Sequence, residues 1–178
     1  MSPSPFAGRD RAALRKHLSS YWKMEAGNVL LVPLIVWAMV WSAGDAAMWL
    51  GAAACSFLLV VGTAAWLLVL AGLDGKPAQA TRLVAFCARA EIVSLLLLLA
   101  AATLAAASAV ITGGWPPRTL AAAGLTLLGW LEYVNYYHWQ LQNFDSQIDA
   151  KRLAAGRGLR RAHMGRAVRA WRERRRRN

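Results

Sequence analysis

The stretch "AMWLGAAACSFLLVVGTAAWLLVLAGL", residues 47–73, decides the fold, because it holds no charged residue from end to end. At about 1.5 Å per residue a helix of that length crosses a hydrocarbon core of about 30 Å. A helix buried in a soluble bundle would carry a polar face recurring with a 3.6-residue period, and this run has none. It reads as a transmembrane helix.

Three further apolar runs flank it: "NVLLVPLIVWAMVWSAG" from Asn28, "IVSLLLLLAAATLAAASAVITG" from Ile92 and "TLAAAGLTLLGWLEYVNYYHW" from Thr119. Each reaches, or nearly reaches, the spanning length. The fold class expected is all-α, an integral membrane antiparallel four-helix transmembrane bundle. Its helices are expected at about residues 28–44, 47–73, 90–112 and 119–139. A basic N-terminal segment, residues 1–27, and a basic C-terminal tail, residues 140–178, complete the division, with short basic amphipathic helices at both ends. The 27 residues before the first run exceed the n-region of a cleaved signal peptide, so that helix is expected to act as an uncleaved anchor.

Composition fits this segregation. Of the 178 residues 57% are hydrophobic, yet Lys+Arg number 21 against nine Asp+Glu, a formal net charge of +12. In a soluble domain strong charge accompanies low hydrophobicity, so the two properties conflict unless they occupy different parts of the chain. They do. Arg9, Arg11, Arg15, Lys16 and Lys23 precede the first helix, Lys76, Arg82 and Arg89 separate the second from the third, and a dense basic run follows the fourth. The other two connections hold only Asp45 and Arg118. The positive-inside rule then places both termini in the cytoplasm, in a multi-pass protein of the inner membrane. Trp37, Trp41, Trp49 and Trp115 cluster toward the outer face and Tyr21, Trp22, Tyr136, Tyr137 and Trp139 toward the inner one, as aromatic belts do. Short outer connections make helices one and two, and three and four, antiparallel neighbours.

The end of the fourth run, "GWLEYVNYYHWQLQNF", residues 129–144, fills with polar groups. At about 100° per residue, Glu132, Asn135, Tyr136, Trp139, Gln142, Asn143 and Ser146 share one stripe and His138 borders it. A carboxylate about 10 Å inside the apolar boundary has to face other helices, find a partner or stay protonated. Glu25 and Asn28 open the first helix and Arg89 and Glu91 the third, so these could join Glu132, Asn135 and His138 in one cytoplasmic-side polar cluster. Such a cluster serves as a structural network, with Glu132 paired to Arg89, or as a proton- or cation-linked site with His138 as relay. A metal site from Glu25, Glu91, Glu132 and His138 is disfavoured, because Glu132 and His138 are six apart and turned about 120° from each other. No cofactor is expected.

In the tail, Met164, Val168 and Trp171 recur at i, i+4 and i+7, while Gly156 and Gly158 interrupt any helix continuing from the membrane. This basic amphipathic helix suits an anionic leaflet, with Arg160, Arg161, Arg166, Arg169, Trp171 and Arg172 as the lipid-binding candidates. A tail tethered at the membrane meets lipid phosphate first, so nucleic acid is not the expected partner of "RERRRRN". Small residues at fourfold spacing, Gly51 and Cys55 among them, leave room for a homo-oligomer. Cys55 and Cys87 have neither metal nor redox spacing.

No nucleophile elbow, phosphate loop, zinc-protease pair or dinucleotide fingerprint occurs. The function expected is that of a small, non-catalytic polytopic protein presenting a basic cytoplasmic face to a protein partner or to anionic membrane lipid. A small proton- or cation-linked transporter or channel using Glu132 and His138 is the alternative. A membrane enzyme with a cytoplasmic-side polar site is the third.

Overall fold

The computed structural model describes residues 5–39, 46–141, 155 and 158–177. Trp41, Asp45, Gln142, Asn143, Ser146 and Gly156 lie outside them. Among the described residues there are five helices and no strand: α1 Pro5–Met39, α2 Ala46–Leu73, α3 Pro77–Ile111, α4 Pro117–Tyr137 and α5 His163–Arg177.

Two of these, α2 and α3, are long and apolar enough to cross a membrane, each with a mean hydropathy of 2.3 over its most apolar window. Four spans are expected from sequence, and α1 and α4 fall short of that measure. The reasons are visible in the chain. The described part of α1 has only Ala26 to Met39 after its last charge, Glu25, and α4 is broken by Glu132 and Asn135.

Helix ends follow from glycine and proline. The Gly75 amide bonds to the Gly72 carbonyl and the Lys76 amide to the Ala71 carbonyl, at 3.3 and 2.9 Å, around a Gly75 φ of 68°. Gly113 repeats the arrangement at the end of α3, with its amide on Val110 and that of Gly114 on Ala109, at 3.2 and 3.0 Å. Both are Schellman caps, in which a left-handed residue without a Cβ satisfies the last carbonyls. Pro77 and Pro117 then open α3 and α4 in the first turn, where a missing amide costs nothing. No glycine or further proline interrupts Pro77–Ile111, so α3 starts well before residue 90 and the connection shrinks to Asp74–Lys76. α1 also runs unbroken from its basic half into its apolar half, through Gly27 and Pro33, and the N-terminal segment forms no separate helix.

α2 lies against α1, α3 and α4 and is the centre of the bundle. Its buried residues Ala54, Leu58, Val61 and Leu68 join Val84, Cys87 and Leu98 of α3 and the tyrosines of α4 in the larger core. A smaller core at the other end gathers Val36, Ala47, Met48, Ala52, Ala105 and Ala122. The apolar helices absorb their hydroxyls locally: Thr63 donates to Leu59 and Thr126 to Ala122, at 2.9 and 2.8 Å. At the turn after α2, Arg15 of α1 grips Asp74 with its Nε 3.0 Å from Oδ1, and Arg11 donates to the Leu73 carbonyl. The start of α1 therefore meets the end of α2, and the two run antiparallel.

After α4 the chain returns on itself. The Gln140 amide donates to the Arg160 carbonyl and the Ala162 amide to that of His138, at 2.8 and 3.1 Å, with Trp139 facing Arg161. This pairing aims α5 back at the bundle. Met164 and Val168 are buried there, and Trp171 packs beside them. The apolar stripe expected to lie on lipid is spent on α3 and α4, while Arg160, Arg161, Arg166 and Arg169 stay exposed.

Candidate functional site

The polar residues of α4 converge with α1 and α2 at the end of the bundle that carries α5. Glu25 is only 6% exposed, and its Oε1 accepts a 2.9 Å hydrogen bond from the Tyr136 hydroxyl. The Trp66 indole approaches the same carboxyl from α2. One turn back on α4, the Glu132 carboxyl lies against Tyr136 and Asn135. Its Oε2 is buried with no hydrogen-bond partner among the described residues. The Asn135 Oδ1 accepts from the Leu141 amide at 2.8 Å, which leaves its NH₂ for Glu132.

Tyr136 sits between two carboxyl groups because Gly62 gives it room. A Cβ at that position would overlap the hydroxyl end of the ring. A phenol has one proton to give and lone pairs with which to accept. Since that proton goes to Glu25, Glu132 meets Tyr136 as a donor only when it is itself protonated. Glu25, Tyr136 and Glu132 thus form one buried chain of oxygens. Tyr136, Trp66 and Glu132 act on Glu25, Tyr136 and Asn135 act on Glu132, and none of these is a cation.

Beside this pair is a cavity of about 260 Å³, bounded by Ala65, Trp66 and Val69 of α2, Asn135, Tyr136 and Gln140 at the end of α4, and Ala162, His163 and Met164 at the start of α5. Its wall is mainly apolar and aromatic, with amide groups at one side. His163 is exposed at one edge and lines the cavity at the other; burial, with Arg166 adding to it, holds its imidazolium below the usual range.

The remaining expected members separate from this site. Glu91 forms an ion pair with Arg172 of α5 at 2.8 Å, and the other arm of that guanidinium donates to the Ala88 carbonyl at 2.9 Å. Arg89 is exposed and is not among the groups acting on Glu132. His138 is exposed at the end of α4, its ring 5.4 Å from that of Tyr133. Asn28, a turn beyond Glu25, has no hydrogen bond to the cluster among the described residues. The expected cluster is thus two: Glu25, Glu132 and Asn135 with Tyr136 and Trp66, and Glu91 with Arg172. No group of three or more His, Cys, Asp and Glu able to hold a metal occurs among the described residues.

Sequence reasoning assigned Tyr136 and Tyr137 to an interfacial belt, whereas both are buried and Tyr137 donates to the Cys87 carbonyl at 2.9 Å. Trp66 carried no signal in the sequence, being one aromatic in an apolar run. No family model, no curated protein and no solved structure matches this chain.

Proposed function

We propose that the chain is a four-span inner-membrane protein with both termini cytoplasmic, non-catalytic, whose basic cytoplasmic end binds anionic lipid headgroups. The observation that carries this reading is a band of exposed large apolar side chains lying away from the basic end. It includes Leu30, Leu34 and Ile35 on α1, Ile92, Leu96 and Leu99 on α3, and Leu120, Leu127 and Leu131 on α4. A water-exposed surface of that extent is unstable in a monomer and natural in lipid. It supports spans for α1 and α4 although neither is uniformly apolar, because the polar stripe of α4 turns inward and its leucines turn outward. Trp37, Trp49 and Trp115, all exposed, suit the outer boundary of such a band.

The lipid-facing charge is the outer side of α5. With the apolar stripe packed inward, Arg166, Arg169 and Arg174 to Arg177 are all exposed, and each contributes about 1 kcal/mol beside an anionic leaflet. Two measurements test the reading. Fluorescent-protein fusions at either terminus should glow and phosphatase fusions should be silent; an active phosphatase at one end removes the topology. Replacing Arg166, Arg169, Arg174 and Arg176 with Gln leaves the packed side of α5 intact and should weaken capture of the detergent-solubilised protein by phosphatidylglycerol vesicles, with a smaller salt dependence. Equal capture by both forms defeats the lipid assignment.

A further inference from the structure

We propose that the cavity between α2, α4 and α5 binds a small organic ammonium ion, with the Glu25–Glu132 pair supplying its counter-charge through the aromatic wall. Three observations converge on this, and none belongs to the basic lipid-facing surface. The first is charge. Glu25 is nine-tenths buried, Glu132 has a buried oxygen without a partner, and no cation is among the groups acting on either. An ionised carboxyl buried without a cation is costly, so a positive charge arriving from outside would stabilise it and supply the partner that the Glu132 oxygen lacks.

The second is the wall. Trp66 and Tyr136 line the cavity on one side and touch the carboxyls on the other. Indole and phenol faces attract a cation within about 6 Å, and more strongly where water is excluded. Both rings also donate toward Glu25, which draws electron density onto the faces that a bound cation would meet. A metal ion finds no set of oxygen ligands in such a wall; an alkylated ammonium finds apolar and π surface together. The third is size and neutrality. At about 260 Å³ the space falls just below the roughly 300–1,000 Å³ of sites for drug-sized ligands, which suits an ion no larger than a lipid headgroup. Asn135 and Gln140 make part of its lining polar, and burial, with Arg166 adding to it, disfavours a charge on His163 that would repel a cation.

The ammonium could be free in the cytoplasm or belong to a zwitterionic lipid, since the cavity opens at the end of the bundle that carries α5. Choline, labelled and measured by equilibrium dialysis against the full-length protein in maltoside, is the probe. Its uncharged isostere 3,3-dimethylbutan-1-ol is the competitor. Choline should bind saturably at one site, and the neutral isostere at least about tenfold more weakly. Glu25→Gln and Glu132→Gln should each reduce choline binding by about tenfold or more, and Ala65→Phe, which fills the cavity from α2, should abolish it. Circular dichroism melting checks that each variant is folded. If a carboxylate variant does not fold, the isostere comparison and Ala65→Phe decide. Absence of choline binding, equal competition by the isostere, or full binding in Ala65→Phe overturns the proposal. In nanodiscs, loss of choline binding when phosphatidylethanolamine replaces phosphatidylglycerol assigns the site to a lipid headgroup, and unchanged binding assigns it to a soluble amine.

Discussion

Gly62 and Tyr136 form a tight cross-helix fit in the larger core, since a methyl group on the one would occupy the space of the other's hydroxyl end. Gly62→Ala should displace the phenol from Glu25 and cost about 1–3 kcal/mol, the usual penalty of overpacking. A lowered thermal midpoint in detergent is the measurement, and an unchanged one would show that the ring has room to move. Gly129 lies against the Leu98 side chain, 2.7 Å from where a Cβ would sit. A leucine tip can rotate away, so Gly129→Ala should be milder than Gly62→Ala. Here the sequence was legible in part. The wheel of α4 put Glu132, Asn135 and Tyr136 on one face, and the expected depth left Glu132 to face other helices, find a partner or stay protonated. It could not show that Glu25 rather than Arg89 would meet that face, because a helical wheel orders residues within one helix and is silent on which neighbour it meets.

At the scale of the element, α5 is held by few attachments, each open to test. Gly165 lies directly against the Tyr137 carbonyl, a backbone atom that cannot rotate away. Gly165→Ala should therefore loosen the helix and let its backbone open to trypsin at the already exposed Arg166 and Arg169, speeding cleavage by about tenfold for a penalty near 1.4 kcal/mol. Arg172→Met removes an ion pair whose arginine is 39% exposed, so its effect should be smaller, about 1 kcal/mol or less. Cleavage rates equal to the parent's in both variants would mean that α5 is not held by these contacts.

Two groups near this end make the fold sensitive to acid. Arg15, through its hydrogen bond first and its charge second, holds the Asp74 carboxyl below its ordinary value, and burial does the same to the His163 imidazolium. A group whose pKa is lowered by folding adds stability above its unfolded value and loses it as pH falls through the folded one. For His163 that loss begins below its ordinary value of 6.5, and for Asp74 below 3.8. Amide exchange of α5, corrected for intrinsic rate, should thus quicken from about pH 7.5 to about pH 5.5, and His163→Phe should remove the change. A profile unaltered by that substitution would assign the sensitivity elsewhere. The sequence predicted this helix, its basic charge and its apolar stripe, but the stripe alone cannot distinguish a lipid surface from a protein one. The return pairing of Gln140 with Arg160 settles which surface it meets, and that contact is made through backbone atoms, to which side-chain periodicity is blind.

For the whole molecule, helix type and the places where helices stop were readable because they depend on local chemistry: charge-free length in α2, and Gly–Pro punctuation at residues 75–77 and 113–117. The candidate spans were less so: α2 and α3 are long and apolar enough to cross a membrane, whereas α1 and α4 mix polar and apolar residues. The central place of α2 likewise follows from its contacts with three neighbours.

The hydrogen bond between Tyr136 and Glu25 joins residues 111 positions apart. During synthesis Glu25 therefore leaves the ribosome long before the helix that will hold it exists. At about 5–20 residues per second it waits on the order of ten seconds with its carboxyl hydrated or protonated. Arrival of α4 closes that interval, so a nascent chain halted before residue 117 would keep an unburied acid group and a bare face of α2. Both are marks by which a quality-control protease tells an unfinished chain from a finished one.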